Sequence, residues 1–183
     1  MESIDYIIRK TRDWVEHFVI KLNLCPFAKK VFDEEKIRYV VLKSDEIKDL
    51  TKKVLDELYF LSKTDPNRIE TTLIIFPRLL NDFEAYNDYL VITDEILLEM
   101  DLIGDIQIAS FHPNYQFAGV EPHLPENYTN RSPYPMLHLL REESIETALK
   151  NIVKPEDIPA QNIKKMNEIG LDKLKNWSNE SEG

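Results

Sequence analysis

Glycine is scarce in this sequence: of 183 residues only Gly104, Gly119, Gly170 and Gly183 are glycine. Neither a phosphate-cradling loop nor a dinucleotide fingerprint can be assembled from them, which excludes the commonest nucleotide sites. Cysteine is scarcer still. Cys25 stands alone, where a secreted disulfide framework would show an even set. No apolar run approaches the roughly 18 residues of a membrane span. The opening Met1-Glu2-Ser3-Ile4-Asp5 is not the basic start of a signal peptide, so the expectation is a cytoplasmic protein with no membrane partner. Basic residues number 23 against 33 acidic ones, for a net charge of −10. They are scattered among the acids rather than clustered, so no nucleic-acid partner is expected.

What is present is a globular pattern, with 43% apolar residues. Ile4, Ile7, Ile8, Trp14, Val15, Phe18, Val19 and Leu22 follow a helical period after a capping Ser3, and Asn23 suits a left-handed stop. Pro26 can open a short second helix to about Phe32, with Cys25 as its N-cap. Strands are expected at Ile37–Leu42, Thr71–Phe76, Asp105–Phe111 and Met136–Leu140, the last of which could equally begin a helix. Between them, Asp45–Ser62 and the stretch marked by Phe83, Tyr86, Leu90, Leu97 and Met100 read as helices. Glu142–Ile152 and Ile158 to about Trp177, interrupted at Gly170, follow.

Alternating strands and helices imply parallel pairing through crossover helices. Thr71–Phe76 is apolar and β-branched throughout, as a strand covered on both faces would be. The expected fold is an α/β three-layer sandwich, with a small, mostly parallel four-stranded sheet and helices on both faces. A two-layer ferredoxin-like α+β fold is the alternative. One domain should span 1–177, with 178–183 a flexible tail.

In such sheets ligands bind beyond the carboxyl ends of the parallel strands. Here those ends deliver Arg78, after Phe76-Pro77, and His112, before Pro113. His112 to Pro135 is too long for an ordinary connection. It holds five of the ten prolines, the aromatics Tyr115, Phe117, Tyr128 and Tyr134, and few charges. Aromatic-rich, charge-poor loops pack rather than wave, so this one should be ordered.

The segments Leu22-Asn23-Leu24-Cys25-Pro26-Phe27-Ala28, Phe111-His112-Pro113-Asn114-Tyr115-Gln116-Phe117-Ala118-Gly119 and Glu126 through Arg141 resemble the motifs of the protein family designated domain of unknown function 1415. The resemblance spans nearly the whole chain. It implies that these segments define the family, and it brings no activity with it.

The chemistry therefore rests on residue types. Cys25 at a helix N-terminus, near Lys29 and Lys30, could be a lowered-pKa nucleophile or redox thiol, or a small buried apolar residue. His112 or His138 could serve as base or as core histidines. Arg78 and Arg131 could clamp an anion by paired hydrogen bonds, assisted by Tyr115, Asn127, Tyr128 and Asn130. Alternatively these side chains tie down the loop's own carbonyls. No metal-ligand spacing is present, although Cys25, His112 and His138 could hold a metal if they met in space. The leading expectation is an enzyme acting on a small anionic metabolite at the carboxyl edge of the sheet. A non-catalytic small-molecule or metal-binding regulatory domain, or an interaction module using the aromatic loop, are the alternatives.

Overall fold

The computed structural model describes residues 2–150, 152 and 154–180, with side chains described through 176. The protein is a mixed α/β protein built on one open four-stranded sheet. Strands β1 (Ile37–Val41), β2 (Thr71–Ile75), β3 (Ile106–Phe111) and β4 (Met136–Arg141) stand in the order β1-β2-β4-β3. The expectation of a mostly parallel sheet is corrected here. β1 and β2 pair in parallel, whereas β4 enters between β2 and β3 antiparallel to both. The physical reason is the loop after β3. It turns the chain back at the edge where β3 ends, so no helix returns β4 to the opposite edge, as a parallel strand would need.

The helices are α1 (Ile4–Trp14), α2 (Ala28–Asp33), α3 (Ile47–Lys63), α4 (Phe83–Glu99), α5 (Glu142–Leu149), α6 (Ile158–Ile169) and α7 (Leu171–Glu180). Ser3 caps α1, its side chain accepting from the Tyr6 N–H, and Asp82 caps α4 the same way through Ala85. Asn23 is left-handed, with φ of 49°. The last predicted helices end differently: α5 stops at Leu149, and α7 continues through Ser178 to Glu180, while 181–183 lie outside the described residues.

Side chains alternate across the strands, and the core follows that alternation. Ile74, Leu137, Leu139 and Ile106 join Leu50, Val54, Leu58 and Leu61 of α3 and Tyr86, Tyr89, Ile96 and Leu97 of α4 in one cluster. Leu73, Ile75 and Met136 join Ile7 and Trp14 of α1, Met166 of α6 and Leu174 of α7 in a second. A third, smaller cluster of Phe27, Val31 and Leu140 gathers α2 and α5. No helix among the described residues is long and apolar enough to cross a membrane.

Candidate functional site

The loop is a clamp around the end of the sheet. His112, completely buried, packs its ring against Phe83 and Tyr86 of α4, and Tyr115 packs against Phe83 as well. Farther along, a 3-10 turn at Pro125–Asn130 brings Tyr128 into the cluster of α1 and α6, where Tyr134 also lies. The loop thus begins in one cluster and ends in another.

Its polar side chains serve that wrap. Asn127, fully buried, accepts from the Phe117 N–H at 3.0 Å and donates to the Glu121 carbonyl at 2.8 Å. Asn130 donates to the Ser110 carbonyl at 3.2 Å. Arg131 donates from Nε to the Tyr115 carbonyl at 3.2 Å and from Nη2 to the Pro122 carbonyl at 2.7 Å, with its guanidinium 4.5 Å from the Tyr128 ring centre. Arg78 pairs with Asp45 at 2.7 Å and donates to the Lys43 carbonyl. Both candidate anion clamps therefore already have acceptors, as loop-anchoring arginines do.

His112 is engaged at both ring nitrogens. Nδ1 accepts the Asn114 N–H at 3.0 Å, so the proton sits on Nε2, which donates to the Leu80 carbonyl at 3.0 Å. Burial lowers its pKa, and protonating Nδ1 would sacrifice the bond from Asn114. Its place is with α4, whereas Cys25 packs beside Phe27, Val31 and Leu140. Leu140 and Leu139 are neighbours on β4 that enter different clusters, so Cys25 and His112 lie on opposite faces of the sheet. A metal or substrate shared by Cys25 and His112 is excluded by that placement. Among the described residues no group of three His, Cys, Asp or Glu side chains could hold a metal ion.

Cys25 is also not the N-cap that its spacing suggests. α2 starts at Ala28 with Phe27 in the cap position, two residues later than expected. Burial pushes the thiol pKa up, only partly offset by the backbone N–H groups of Phe27 and Ala28. The Cys25 side chain is a thiol at neutral pH. The backbone leading to it is held firmly: a π-helical turn at Val15–Ile20 widens the end of the first helix, and α6 donates to it from Asn162 to the Leu24 carbonyl and from Lys165 to the Leu22 carbonyl.

His138 is placed differently. It sits mid-strand on β4, opposite Leu73 of β2 and Ala109 of β3. Met136, two residues before it, belongs to the second cluster, and Leu140, two after, to the third. His138 therefore marks the seam between two clusters on one face, and Cys25 and Ala109 both border the third cluster there. It is half-buried although the strand around it is buried. Its Nε2 lies 2.7 Å from Thr71 Oγ1, and that hydroxyl donates its one proton to the Leu139 carbonyl at 2.5 Å. Nε2 must then carry the ring proton. Nδ1 is left as an acceptor with no hydrogen-bond partner among the described residues.

Burial holds the His138 pKa down at about 4, against an ordinary value of 6.5. Between these values the unfolded chain takes up a proton that the folded one refuses, so stability falls as the pH drops through that window. The slope reaches at most about 1.4 kcal/mol per pH unit. Urea unfolding from pH 7.5 to 4.5 is expected to show this loss, with His112 adding to it in the same direction. His138→Gln should flatten it relative to wild type, and an identical profile would show that His138 is protonated in the folded protein as readily as in the unfolded one.

A concavity lies at the edge of the sheet where β1, β2 and β3 begin. Its volume is about 620 Å³, and Lys36, Glu70, Asp105 and Arg141 line it beside α2 and α5. Arg141 is engaged there by backbone acceptors. It donates to the carbonyls of Leu61, Thr64 and Ile69 and so closes the end of α3.

Thr71, Tyr86 and Asn162 matter to these arrangements and escaped the sequence reading. A hydroxyl beginning an otherwise apolar strand was the available signal for Thr71. Tyr86 and Asn162 gave none, since a helix periodicity does not say what the tip of a side chain will meet.

A mixed α/β protein with this loop and this strand-borne histidine is what the geometry defines. Residues 6–176 match the family model described as "Protein of unknown function (DUF1415)", and the chain belongs to that family. No curated protein and no solved structure matches the chain.

Proposed function

We propose that this protein is a small-molecule-binding domain whose ligand enters the seam around His138, with Cys25 at its border. The observation that carries the reading is His138 itself. A half-buried histidine in the middle of a central strand, with one ring nitrogen tied to Thr71 and the other unpartnered, is an acceptor held ready for a donor. Nδ1 is not one of the fully buried polar atoms left without a partner, and an acceptor so placed can take a donor from a ligand. The ligand is a compact molecule with an O–H or N–H donor for Nδ1 and an apolar body to lie against Ala109 and Phe111 of β3.

Two features set binding ahead of catalysis through the thiol. Cys25 would need to ionise, and burial opposes that. His112, Arg78 and Arg131, which an enzyme acting on an anionic metabolite would use, are engaged elsewhere. The reading takes the sheet as the middle of three layers; the entry of alternate β2 residues into separate clusters supports this.

The test is a ligand-observed NMR screen of a fragment library against the wild-type protein. Fragments that bind are expected to weaken at least about tenfold with His138→Phe, which removes the acceptor, a loss in the range of a charge-free hydrogen bond left unmade. Ala109→Met, which fills the seam from the neighbouring strand, should weaken the same fragments. Binders indifferent to both substitutions would overturn the site.

A further inference from the structure

We infer that the outer edge of β3 is a docking site for an extended, basic peptide segment of a partner protein, which adds to the sheet as a further strand. β3 ends the sheet on the side of β4. Successive residues of an antiparallel strand point their N–H and C=O groups to opposite sides. Phe111 directs its N–H toward Met136 of β4 through the Tyr86 hydroxyl, so Ile106, Ile108 and Ser110 turn theirs outward. The loop already occupies the last rung of that edge. Asn130 accepts the His112 N–H at its carbonyl and donates from Nδ2 to the Ser110 carbonyl at 3.2 Å. Before that rung, the Ser110 N–H, both groups of Ile108 and the Ile106 carbonyl meet no outer partner among the described residues.

Edge strands that remain single are commonly blunted by a charge or a proline. β3 reads Ile-Gln-Ile-Ala-Ser-Phe and carries neither. Large apolar side chains border it in the open: Val91, Leu98 and Ile103 are 60%, 70% and 63% exposed. On α4, Tyr89 turns toward α3, where its hydroxyl meets Thr51. At about 100° per residue, Val91, Asp94 and Leu98 project from the other side of that helix. α3 lies over β2 and α4 over β3, so this other side is that of the open edge.

Charge identifies the occupant. From Leu79 to Asn130, which takes in α4, β3 and most of the loop, there are ten acidic residues and no lysine or arginine. The rest of the chain is balanced, with 23 residues of each sign, so this segment carries the whole net charge of −10. None of its ten carboxylates is ion-paired among the described residues, because every salt bridge joins side chains elsewhere. A second copy of β3 would bring two such surfaces together, and like charges repel. A strand that alternates basic with apolar residues supplies what this edge lacks. Its backbone would pair with Ile108 and Ser110, its apolar side chains would lie against Leu98 and Ile103, and its cations would meet carboxylates such as the exposed Asp94 and Asp101. This inference does not depend on the His138 site.

The experiment probes the full chain, at physiological salt, with an array of short peptides that alternate lysine or arginine with valine, isoleucine, leucine, phenylalanine or tyrosine. A second array carries glutamate at each basic position. Basic members are expected to bind at least about tenfold more tightly than their acidic counterparts. In amide NMR spectra of the protein, the tightest binder should shift Ile108 and Ser110 and leave Tyr39, on the other edge strand, in place. N-methylating that peptide at one alternate set of residues should abolish binding and at the other set should not, since only one set faces β3. Asp94→Lys combined with Asp101→Asn should weaken binding on the order of tenfold. Asparagine tolerates the left-handed backbone at Asp101, whose φ is 55°, so the melting curve of this variant should match wild type. An array in which no basic member binds would overturn the inference. So would a binder that shifts other amides instead, or that tolerates N-methylation of both sets, since it would then not extend the sheet.

Discussion

Replacing Arg131 by lysine is expected to lower the thermal midpoint of the unliganded protein by several degrees. The guanidinium spans three points of the loop at once: the carbonyls of Tyr115 and Pro122, and the face of Tyr128. The carbonyl of Arg131 also accepts from Trp14 Nε1 at 3.1 Å, which fixes the backbone so that the side chain can reach. Lysine keeps the charge but offers one point of attachment instead of a planar fork. Losing charged hydrogen bonds costs about 1.5–3 kcal/mol, and each kcal/mol corresponds to roughly 2–4 °C in a domain of this size. A thermal scan of the two proteins decides the matter. A midpoint unchanged within a degree would mean that the guanidinium is not an anchor, and would return Arg131 to the set of free cations available to a ligand.

The second large effect is expected at Tyr86, a completely buried residue of α4. Its hydroxyl accepts from the Phe111 N–H at 3.0 Å and donates to the Met136 carbonyl at 2.8 Å. Phe111 and Met136 are register partners at the end of the β3–β4 ladder. The tyrosine hydroxyl is thus inserted between two groups that would otherwise bond directly. Tyr86→Phe leaves a donor and an acceptor buried without partners, at about 2–4 kcal/mol in total. If the strands closed to make the direct bond, the loss would fall below about 1 kcal/mol, so urea unfolding separates the two outcomes. Because His112 packs against the same ring, amide exchange at Asn114 should quicken in the variant along with that at Phe111.

The loop was legible in the sequence as an ordered element, but the roles of its side chains were not. The proline and aromatic content of 112–135 announced an ordered loop, and Tyr128 and Tyr134 are indeed buried in it. Composition could not show that Asn127, Asn130 and Arg131 would bond to the loop's own carbonyls, because an amide or guanidinium suits a ligand and a backbone equally well. The helix starting at Pro26 was displaced to Ala28 for a similar reason. Proline permits a first helical turn without requiring one, and the packing of Phe27 and Val31 on Leu140 sets where the turn begins.

The sequence by itself determined the elements: strands from β-branched runs, helices from the 3.6-residue period of Ile7, Trp14 and Phe18 or of Leu50, Val54 and Leu61, and the ends of helices from Ser3, Asn23 and Gly170. These follow from local sterics and from the apolar stripe that each element must bury. Only the tertiary structure decided that β4 runs antiparallel between β2 and β3, because strand direction depends on where the preceding loop returns the chain. That one choice fixed the rest. It placed His138 between Leu73 and Ala109, gave its Nε2 to Thr71, and brought it to the face that Cys25 borders while leaving His112 on the other. A strand's side chains alternate with a period of two, so residues far apart in sequence share a face only through register, and register is a property of the assembled sheet.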